Sequence, residues 1–348
     1  MPEERPERVT VVGTGSWGTT LAILAARQGL NAQLLARTED EAAAMRSAGE
    51  NSRFLPGCPF PERLKVTADP EQALDDCDLL LMVVPSQTMR RNIRTLKPFL
   101  KGDPIIVSAA KGLELGTLLR MTEVLGEELG ESRRGRLAAI SGPNLAGEIA
   151  AGKPATSVIG STFPEVAARA QDLLSGGRFR VYTNPDLVGV ELCGSLKNII
   201  ALAAGMADGM GAGDSAKAAI ITRGLVEIGR LGMAAGASIF TFAGLAGLGD
   251  LIATCASPLS RNRRYGEEIA RGKSPEEVSA SMNGQVAEGV TTTAAARQLA
   301  GRYSVEMPIT EQLYGILFEQ KSPLEGLTAL LTREPTDEFL SLGVSMMP

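Results

Sequence analysis

The feature that most constrains this chain is a short run near its start, Val9-Thr-Val-Val-Gly-Thr-Gly-Ser-Trp-Gly18. Four β-prone residues lead straight into Gly13-x-Gly15-x-x-Gly18, and Thr19–Gly29 follows as an apolar-periodic helix closed by a glycine. A strand, a tight turn and a helix in that order form the setting in which a dinucleotide fingerprint works. Gly13 permits the turn, Gly15 lets the backbone approach a pyrophosphate, and Gly18 lets the helix pack on the strand. The helix start offers free N–H groups and a partial positive charge to phosphates. The plainer alternative is an ordinary glycine-rich βα turn; placement directly after a strand favours the nucleotide.

The rest of the first half repeats the alternation. Strands are predicted at Asn31–Ala36, Leu64–Thr67, Leu79–Val84, Ile105–Ala110 and Leu137–Ile140. Helices are predicted at Glu39–Ser47, Gln87–Leu96 and Thr117–Leu129, with a proline-punctuated loop over Asn51–Pro61. The unbroken apolar run Leu79–Val84, stopped by Pro85, is what a central parallel strand looks like. This pattern predicts an α/β fold, a doubly wound and mostly parallel sheet of the Rossmann kind, extended by Thr156–Ile159 and Phe179–Tyr182. Ligands in such sheets sit beyond the carboxyl ends of the strands. That rule picks out Gly13–Gly18, Arg37, Pro85-Ser86, Lys111-Gly112 and Ser141-Gly-Pro-Asn144.

Near Pro185 the composition changes and strand-like runs cease. Small-residue-rich helices are predicted at Leu187–Ala207, Ser215–Gly232, Gly244–Cys255, Asn262–Arg271, Pro275–Met282, Thr291–Gly301, Ile309–Phe318 and Pro323–Leu331. Their glycines and alanines permit close axis-to-axis packing. The expected organisation is a nucleotide-binding domain over 1–184, an all-α substrate-binding domain over 185–336, and a loosely ordered tail over 337–348.

A net charge of −5 argues against a nucleic-acid or anionic-membrane partner. The four cysteines lie far apart with no C-x-x-C, so neither zinc nor a disulfide framework is signalled, and no metal is expected. No apolar run precedes the first strand, and the most apolar stretch, near Ile199–Ala207, reads as too short and glycine-interrupted to span a bilayer. A cytoplasmic enzyme is the expectation. The chain contains no histidine, which excludes every Ser-His, Cys-His and His-metal arrangement. Any general acid or base must be a carboxylate, lysine, tyrosine, cysteine or water.

Against that background two charges stand out. Lys197 lies in the middle of a helix that is apolar or small on nearly every side. It must either snorkel to a surface or be retained for chemistry. Asp250 sits in an equally apolar stretch, Gly244–Thr254, so the two are expected to pair at a shared polar cavity. Lys111, at the end of a central strand, is expected to face the same cleft. An oxyanion formed by hydride transfer needs a proton donor, and without histidine a lysine is the natural one. Ser260-Arg-Asn-Arg-Arg264 is the densest basic cluster and opens a helix, a combination suited to a phosphate or diphosphate, with a solvated face as the plainer alternative. Gly284-Gln-Val-Ala-Glu-Gly289 reads as a turn carrying Glu288. Arg37, where an NAD-preferring fingerprint places an acid, suits the 2′-phosphate of NADP, while Glu39 and Asp40 keep NAD open.

Taken together these residues resemble the bacterial-type NAD(P)-dependent glycerol-3-phosphate dehydrogenases, from Val9 to about Leu331. The resemblance is carried by Gly13-Thr-Gly-Ser-Trp-Gly-Thr19, Val83-Val-Pro-Ser86, Lys111-Gly-Leu-Glu114, Ser141-Gly-Pro143, Gly194-Ser-Leu-Lys-Asn198, Gly247-Leu-Gly-Asp-Leu251, Ser260-Arg-Asn-Arg263 and Gly284–Gly289. It implies a Rossmann domain followed by a helical domain of the 6-phosphogluconate dehydrogenase type. It implies that Ser16 and Trp17 cover the cofactor pyrophosphate, that Arg37 meets its adenosine end, and that Ala146, Val286 and Glu288 add cofactor contacts. Lys111 is implied to serve both cofactor and substrate, and Gly142 and Asn144 to line the substrate site. Lys197 would transfer the proton with Asp250 beside the substrate, while Ser260, Arg261 and Asn262 would hold glycerol phosphate, Arg261 also reaching the cofactor. Asn144 stands where the family usually has Thr or Ser, and Ala110 stands where a Thr is common. NADP(H) or NAD(H) as cofactor, dihydroxyacetone phosphate or sn-glycerol 3-phosphate as substrate, a homodimer and a role in glycerophospholipid synthesis complete the implied picture. The remaining alternatives are a related two-domain reductase of another small ketone or acid and a non-catalytic NADP-sensing protein.

Overall fold

A computed structural model describes residues 7–282 and 286–334. The chain forms two compact units: one is the chain through Lys111 with Met121–Leu187, the other is Gly112–Arg120 with the chain from Val188 onward. The segment Gly112–Arg120, expected in the nucleotide-binding domain, thus belongs to the helical unit.

The strands of the first unit are β1 (Arg8–Val12), β2 (Asn31–Leu35), β3 (Glu50–Asn51), β4 (Leu55–Pro59), β5 (Leu64–Thr67), β6 (Leu79–Met82), β7 (Ile105–Ser108), β8 (Leu137–Ser141), β9 (Ala155–Gly160) and β10 (Phe179–Asn184). Eight of them form one sheet in the order β10-β9-β8-β7-β6-β1-β2-β5. Every neighbouring pair is parallel except β8 with β9. They are linked through α1 (Ser16–Arg27), α2 (Glu39–Ala48), α3 (Pro70–Leu74), α4 (Met89–Leu96), α5 (Met121–Leu129), α6 (Ala146–Ala150) and α7 (Pro164–Leu174). Leu79, Leu80, Leu81 and Met82 are all fully buried, which is why β6 reads as an unbroken apolar run rather than an alternating one. The strand order reverses at β1, flanked by β2 and β6, and the glycine turn follows β1 at that switch point.

Two expectations fail here. The loop expected over Asn51–Pro61 contains an antiparallel hairpin, β3 with β4. Prolines are compatible with it, because a two-stranded ribbon is all edge and an edge tolerates residues without an N–H. The helix expected from Thr117 begins only at Met121. An antiparallel bridge between Leu113 and Arg120, and a left-handed backbone at Leu118 (φ 65°), hold the preceding residues out of the helix.

The helical unit contains α8 (Leu187–Gly209), α9 (Asp214–Ala234), α10 (Ile239–Ala243), α11 (Asp250–Ala256), α12 (Arg261–Ala270), α13 (Pro275–Ser281), α14 (Glu288–Tyr303), α15 (Pro308–Phe318) and α16 (Pro323–Leu331). The short helices α3, α6 and α10, and also α7, lie outside the periodicity-based expectation. Glycine decides how α8 meets α12. A Cβ on Gly205 would lie 1.9 Å from the Arg263 carbonyl oxygen, and one on Gly266 would lie 2.0 Å from that of Leu202. The two backbones touch, and only glycine allows it. Glu227 of α9 is buried and accepts from Ile309 N (2.8 Å), Thr310 N (2.9 Å) and Thr310 Oγ1 (2.8 Å). It caps α15 from outside, since Met307 before that helix has no side-chain acceptor. Burial pushes its carboxyl pKa up, against the pull of those three donors.

The length estimate for the most apolar stretch is corrected. The helix around Ile199–Ala207 runs from Leu187 to Gly209, 23 residues with an 18-residue window of mean hydropathy 1.6, long and apolar enough to cross a membrane by length and composition. Its apolar window is 94% buried inside the protein, so this hydrophobicity belongs to the core of the helical unit. The tail expected over 337–348 lies outside the described residues.

Candidate active site

In the sheet unit the fingerprint glycines divide their work as their positions require. Gly13 takes φ 115°, and a Cβ there would lie 2.3 Å from the Val83 carbonyl oxygen. A Cβ on Gly18 would lie 2.0 Å from the Gly13 carbonyl oxygen. These two glycines are demanded by the fold itself. Gly15 has an ordinary φ of −63°, and a Cβ on it would meet nothing within 4 Å. It is also the residue before α1, a helix start with no side-chain cap. Open space beside uncapped N–H groups is what a pyrophosphate requires, so the residues present fit a dinucleotide.

The surroundings of the turn are fastened. Asn51, buried on the hairpin, donates to Thr14 O (2.7 Å) and Thr19 Oγ1 (2.8 Å). The Thr20 hydroxyl lies between Ser16 O (2.8 Å) and Ala146 O (3.1 Å), tying α1 to the start of α6. Trp17 is partly buried and meets Phe179 edge-on at 6.3 Å between ring centroids. Arg37, beyond β2, is exposed. Beyond β7 and β8, Lys111 Nζ donates to Gly142 O at 3.2 Å. Gly142 has φ 145°, and its carbonyl also accepts from Asn144 N at 2.8 Å. The Asn144 amide donates to Thr156 O (3.0 Å) and accepts from Ser157 Oγ (3.0 Å), so its side chain braces the loop. Lys111, Gly142 and Asn144 therefore converge.

In the helical unit the two charges out of place do pair. Lys197 Nζ stands 2.9 Å from Asp250 Oδ1, with the two residues 4% and 2% exposed. Thr254 joins them: its hydroxyl accepts from Lys197 Nζ and lies 2.6 Å from Asp250 O and 3.1 Å from Asp250 Oδ1. A π turn over Leu245–Gly249, closed by Gly249 N to Gly244 O at 3.1 Å, delivers Asp250 to the first turn of α11. Only glycine fits at 247, where a Cβ would lie 2.0 Å from the Phe242 carbonyl oxygen. A carboxylate at a helix N-terminus is favoured by the helix dipole as well as by the lysine.

Beside this pair runs a second chain of contacts. Asn262 donates to Asn198 Oδ1 (2.8 Å) and accepts from Gly289 N (3.0 Å), joining α12, α8 and α14. The expected turn carrying Glu288 is therefore the first turn of α14, formed where Asn262 satisfies a free N–H of that helix; Gly284 and Gln285 lie outside the described residues. Val286 is exposed. Ser260 caps α12 by accepting from Arg263 N at 3.3 Å. The basic cluster separates into two roles. Arg263 pairs with Asp208 at 2.6 Å and with Glu267 at 3.3 Å, whereas Arg261 stays solvent-accessible. Enough protein nonetheless surrounds Arg261 to push its pKa below the ordinary arginine value, with Glu288 pulling it back up.

Sequence reasoning missed Asn51, Glu227 and Thr254. Thr254 carried a usable signal, lying four residues after Asp250 on an apolar helix, where the two side chains share a face. Asn51 carried none, being an ordinary loop residue by type.

Comparison with known proteins identifies the family. The model of the NAD-dependent glycerol-3-phosphate dehydrogenase N-terminus matches residues 8–167, and that of the C-terminus matches residues 186–328. A glycerol-3-phosphate dehydrogenase (NAD(P)+) of Moorella thermoacetica is 48% identical over 335 residues, covering 96% of this chain and 98% of its own. One from Dehalococcoides mccartyi is 48% identical over 333 residues, covering 95% and 92%. The crystal structure of a glycerol-3-phosphate dehydrogenase from Coxiella burnetii superposes with a TM-score of 0.89 at 41% identity, covering 94% of this chain and 99% of that one. With both halves matched in order and the similarity sustained over almost its whole length, the chain belongs to the NAD-dependent glycerol-3-phosphate dehydrogenase family.

Proposed function

We propose that this protein interconverts dihydroxyacetone phosphate and sn-glycerol 3-phosphate with NADP(H) or NAD(H). The observation that carries the reading is the buried Lys197–Asp250–Thr254 cluster in a chain that has both halves of the family. When bound, the nicotinamide supplies the hydride in the reducing direction and accepts it in the other. Ser16, Trp17 and Gly13–Gly18 hold its pyrophosphate, Arg37 its adenosine end, and Ala146, Val286, Glu288 and Arg261 its remaining contacts.

The chain's own residues handle the proton and the substrate. As C2 of the ketone gains the hydride, the C=O pair collapses onto oxygen, and Lys197 Nζ gives that oxygen a proton; in the oxidising direction Nζ takes it back. Asp250 and Thr254 fix the lysine's position and orient its N–H bonds. Arg261 and Ser260 at the start of α12 bind the substrate phosphate, and Asn262 keeps that helix in register with Asn198. Lys111, Gly142 and Asn144 line the reacting end. Holding both ends restricts the ketone to a near-attack geometry.

The same reading has residues 1–184 as the nucleotide-binding domain and residues 185–336 as the substrate-binding and catalytic domain, in a cytoplasmic homodimer that supplies the glycerol phosphate backbone for phospholipid synthesis without entering the membrane. The test is oxidation of NADPH and of NADH driven by dihydroxyacetone phosphate, for native protein and Lys197→Ala. Turnover by the native enzyme and a loss of about 10³-fold in the variant, with cofactor binding kept, is the expected result. Native protein that turns over neither cofactor with this substrate redirects the assignment to another small ketone. A variant with native turnover removes Lys197 from the chemistry.

A further inference from the structure

We propose that Glu41 governs the choice between the two nicotinamide cofactors, by keeping a negative charge where the 2′-phosphate of NADP would dock. The inference rests on the dinucleotide reading above and deepens it. Three acids open α2, and they do different things. Glu39 pairs with Arg46 on the surface, and Asp40 is exposed. Glu41 turns back towards the sheet. One of its carboxylate oxygens accepts from Thr14 Oγ1, inside the glycine turn. The other accepts from the Arg37 backbone N–H at 3.2 Å, just beyond β2. The Glu41 N–H is itself held by Thr38 Oγ1 at 3.3 Å, the cap of α2, so the helix start that carries this side chain is fixed.

One carboxylate thus bridges the end of β2 and the glycine turn. In a Rossmann sheet the adenosine ribose lies beside the end of the second strand. Arg37 and Glu41 act on that ribose in opposite senses. The exposed guanidinium of Arg37 attracts a 2′-phosphate. The Glu41 carboxylate repels it, and it also occupies the Arg37 N–H that a phosphate oxygen could otherwise use. A free 2′-hydroxyl, by contrast, can donate to Glu41. Arg37 alone would make an NADP enzyme; Arg37 with Glu41 makes one that accepts both.

The test replaces Glu41 by Gln, which removes the charge and keeps an amide oxygen for Thr14, and by Ala, which removes both. Affinities for ADP-ribose and 2′-phospho-ADP-ribose are measured by calorimetry, so that the result does not depend on the substrate assignment. In Glu41→Gln the ratio of the two affinities should move towards the phosphorylated ligand by about fivefold or more at low salt, and the shift should shrink at high salt. Glu41→Ala should move the ratio the same way even where both affinities fall. A purely structural brace would weaken both ligands together and leave the ratio within twofold in both variants, and that result overturns the proposal. Failure of the native protein to bind either ligand would overturn the dinucleotide reading as well, whereas binding without turnover of dihydroxyacetone phosphate would overturn only the substrate.

Discussion

The glycine turn of the sheet unit and the lysine–aspartate pair of the helical unit are built from opposite materials. At the turn the working groups are backbone N–H groups, and the side chains that matter are the missing ones at Gly13, Gly15 and Gly18. At the pair the working groups are two buried charges, set among helices packed so closely that backbones touch at Gly205 and Gly266. The contrast separates two uses of glycine. At Gly15 the absent side chain leaves open space beside a helix start; at Gly205 and Gly266 it leaves room for another helix.

The contrast can be broken most forcefully at the charges. Replacing Lys197 with Met removes the paired charge of buried Asp250, and chemical denaturation should report a loss of about 3–5 kcal/mol. Adding Asp250→Leu should recover most of that stability while leaving turnover abolished. If stability fails to return in the double variant, the pair is not what the surrounding helices must accommodate.

The glycines come next. Gly205→Ala forces a methyl group against a backbone carbonyl and should cost about 2–3 kcal/mol of stability. Gly15→Ala meets no protein atom and should change stability by less than about 1 kcal/mol, yet it should raise the KM for either cofactor at least tenfold. Equal stability losses in the two variants would erase the distinction drawn between them.

The smallest effect is expected at the cysteines. Burial pushes the Cys77 thiol up to about 11 in the sheet unit and the Cys255 thiol up to about 12 in the helical unit, although Lys197 pulls the latter down. Both therefore stay protonated at pH 8, and alkylation by iodoacetamide should be negligible until the protein unfolds. Rapid labelling of Cys255 in the folded enzyme would mean that water reaches the Lys197 pair.

The two regions also differed in how far the sequence revealed them. The turn was legible because its constraint is local: glycine spacing after an apolar strand states the backbone geometry directly. Lys197 and Asp250 were legible for another reason, as charges in stretches otherwise apolar, and their pairing followed because each needed a partner. What stayed hidden was supplied across long separations by residues of ordinary type. Asn51 holds Thr14 and Thr19 from a hairpin disguised by prolines, and Glu227 caps a helix that begins eighty-odd residues later. Arg263 belongs to the basic cluster that suits a phosphate, but Asp208, far upstream, engages it instead. Sequence shows that a group is costly to bury; it rarely shows which distant residue offsets the cost.

The segment Gly112–Arg120 carries a consequence for how the protein is made. It leaves the sheet unit immediately after Lys111 and joins the helical unit, where Arg120 pairs with the buried Glu191 and Thr117 O accepts from Arg302 at 3.2 Å. During synthesis this segment emerges long before the helices that receive it, so it waits without partners until α8 and α14 have left the ribosome. Neither unit is a continuous stretch of chain. A fragment cut at the end of the sheet unit would inherit a displaced loop, and the complementary fragment would lose the Arg120 partner of its buried Glu191. Assembly is therefore obliged to finish both units together.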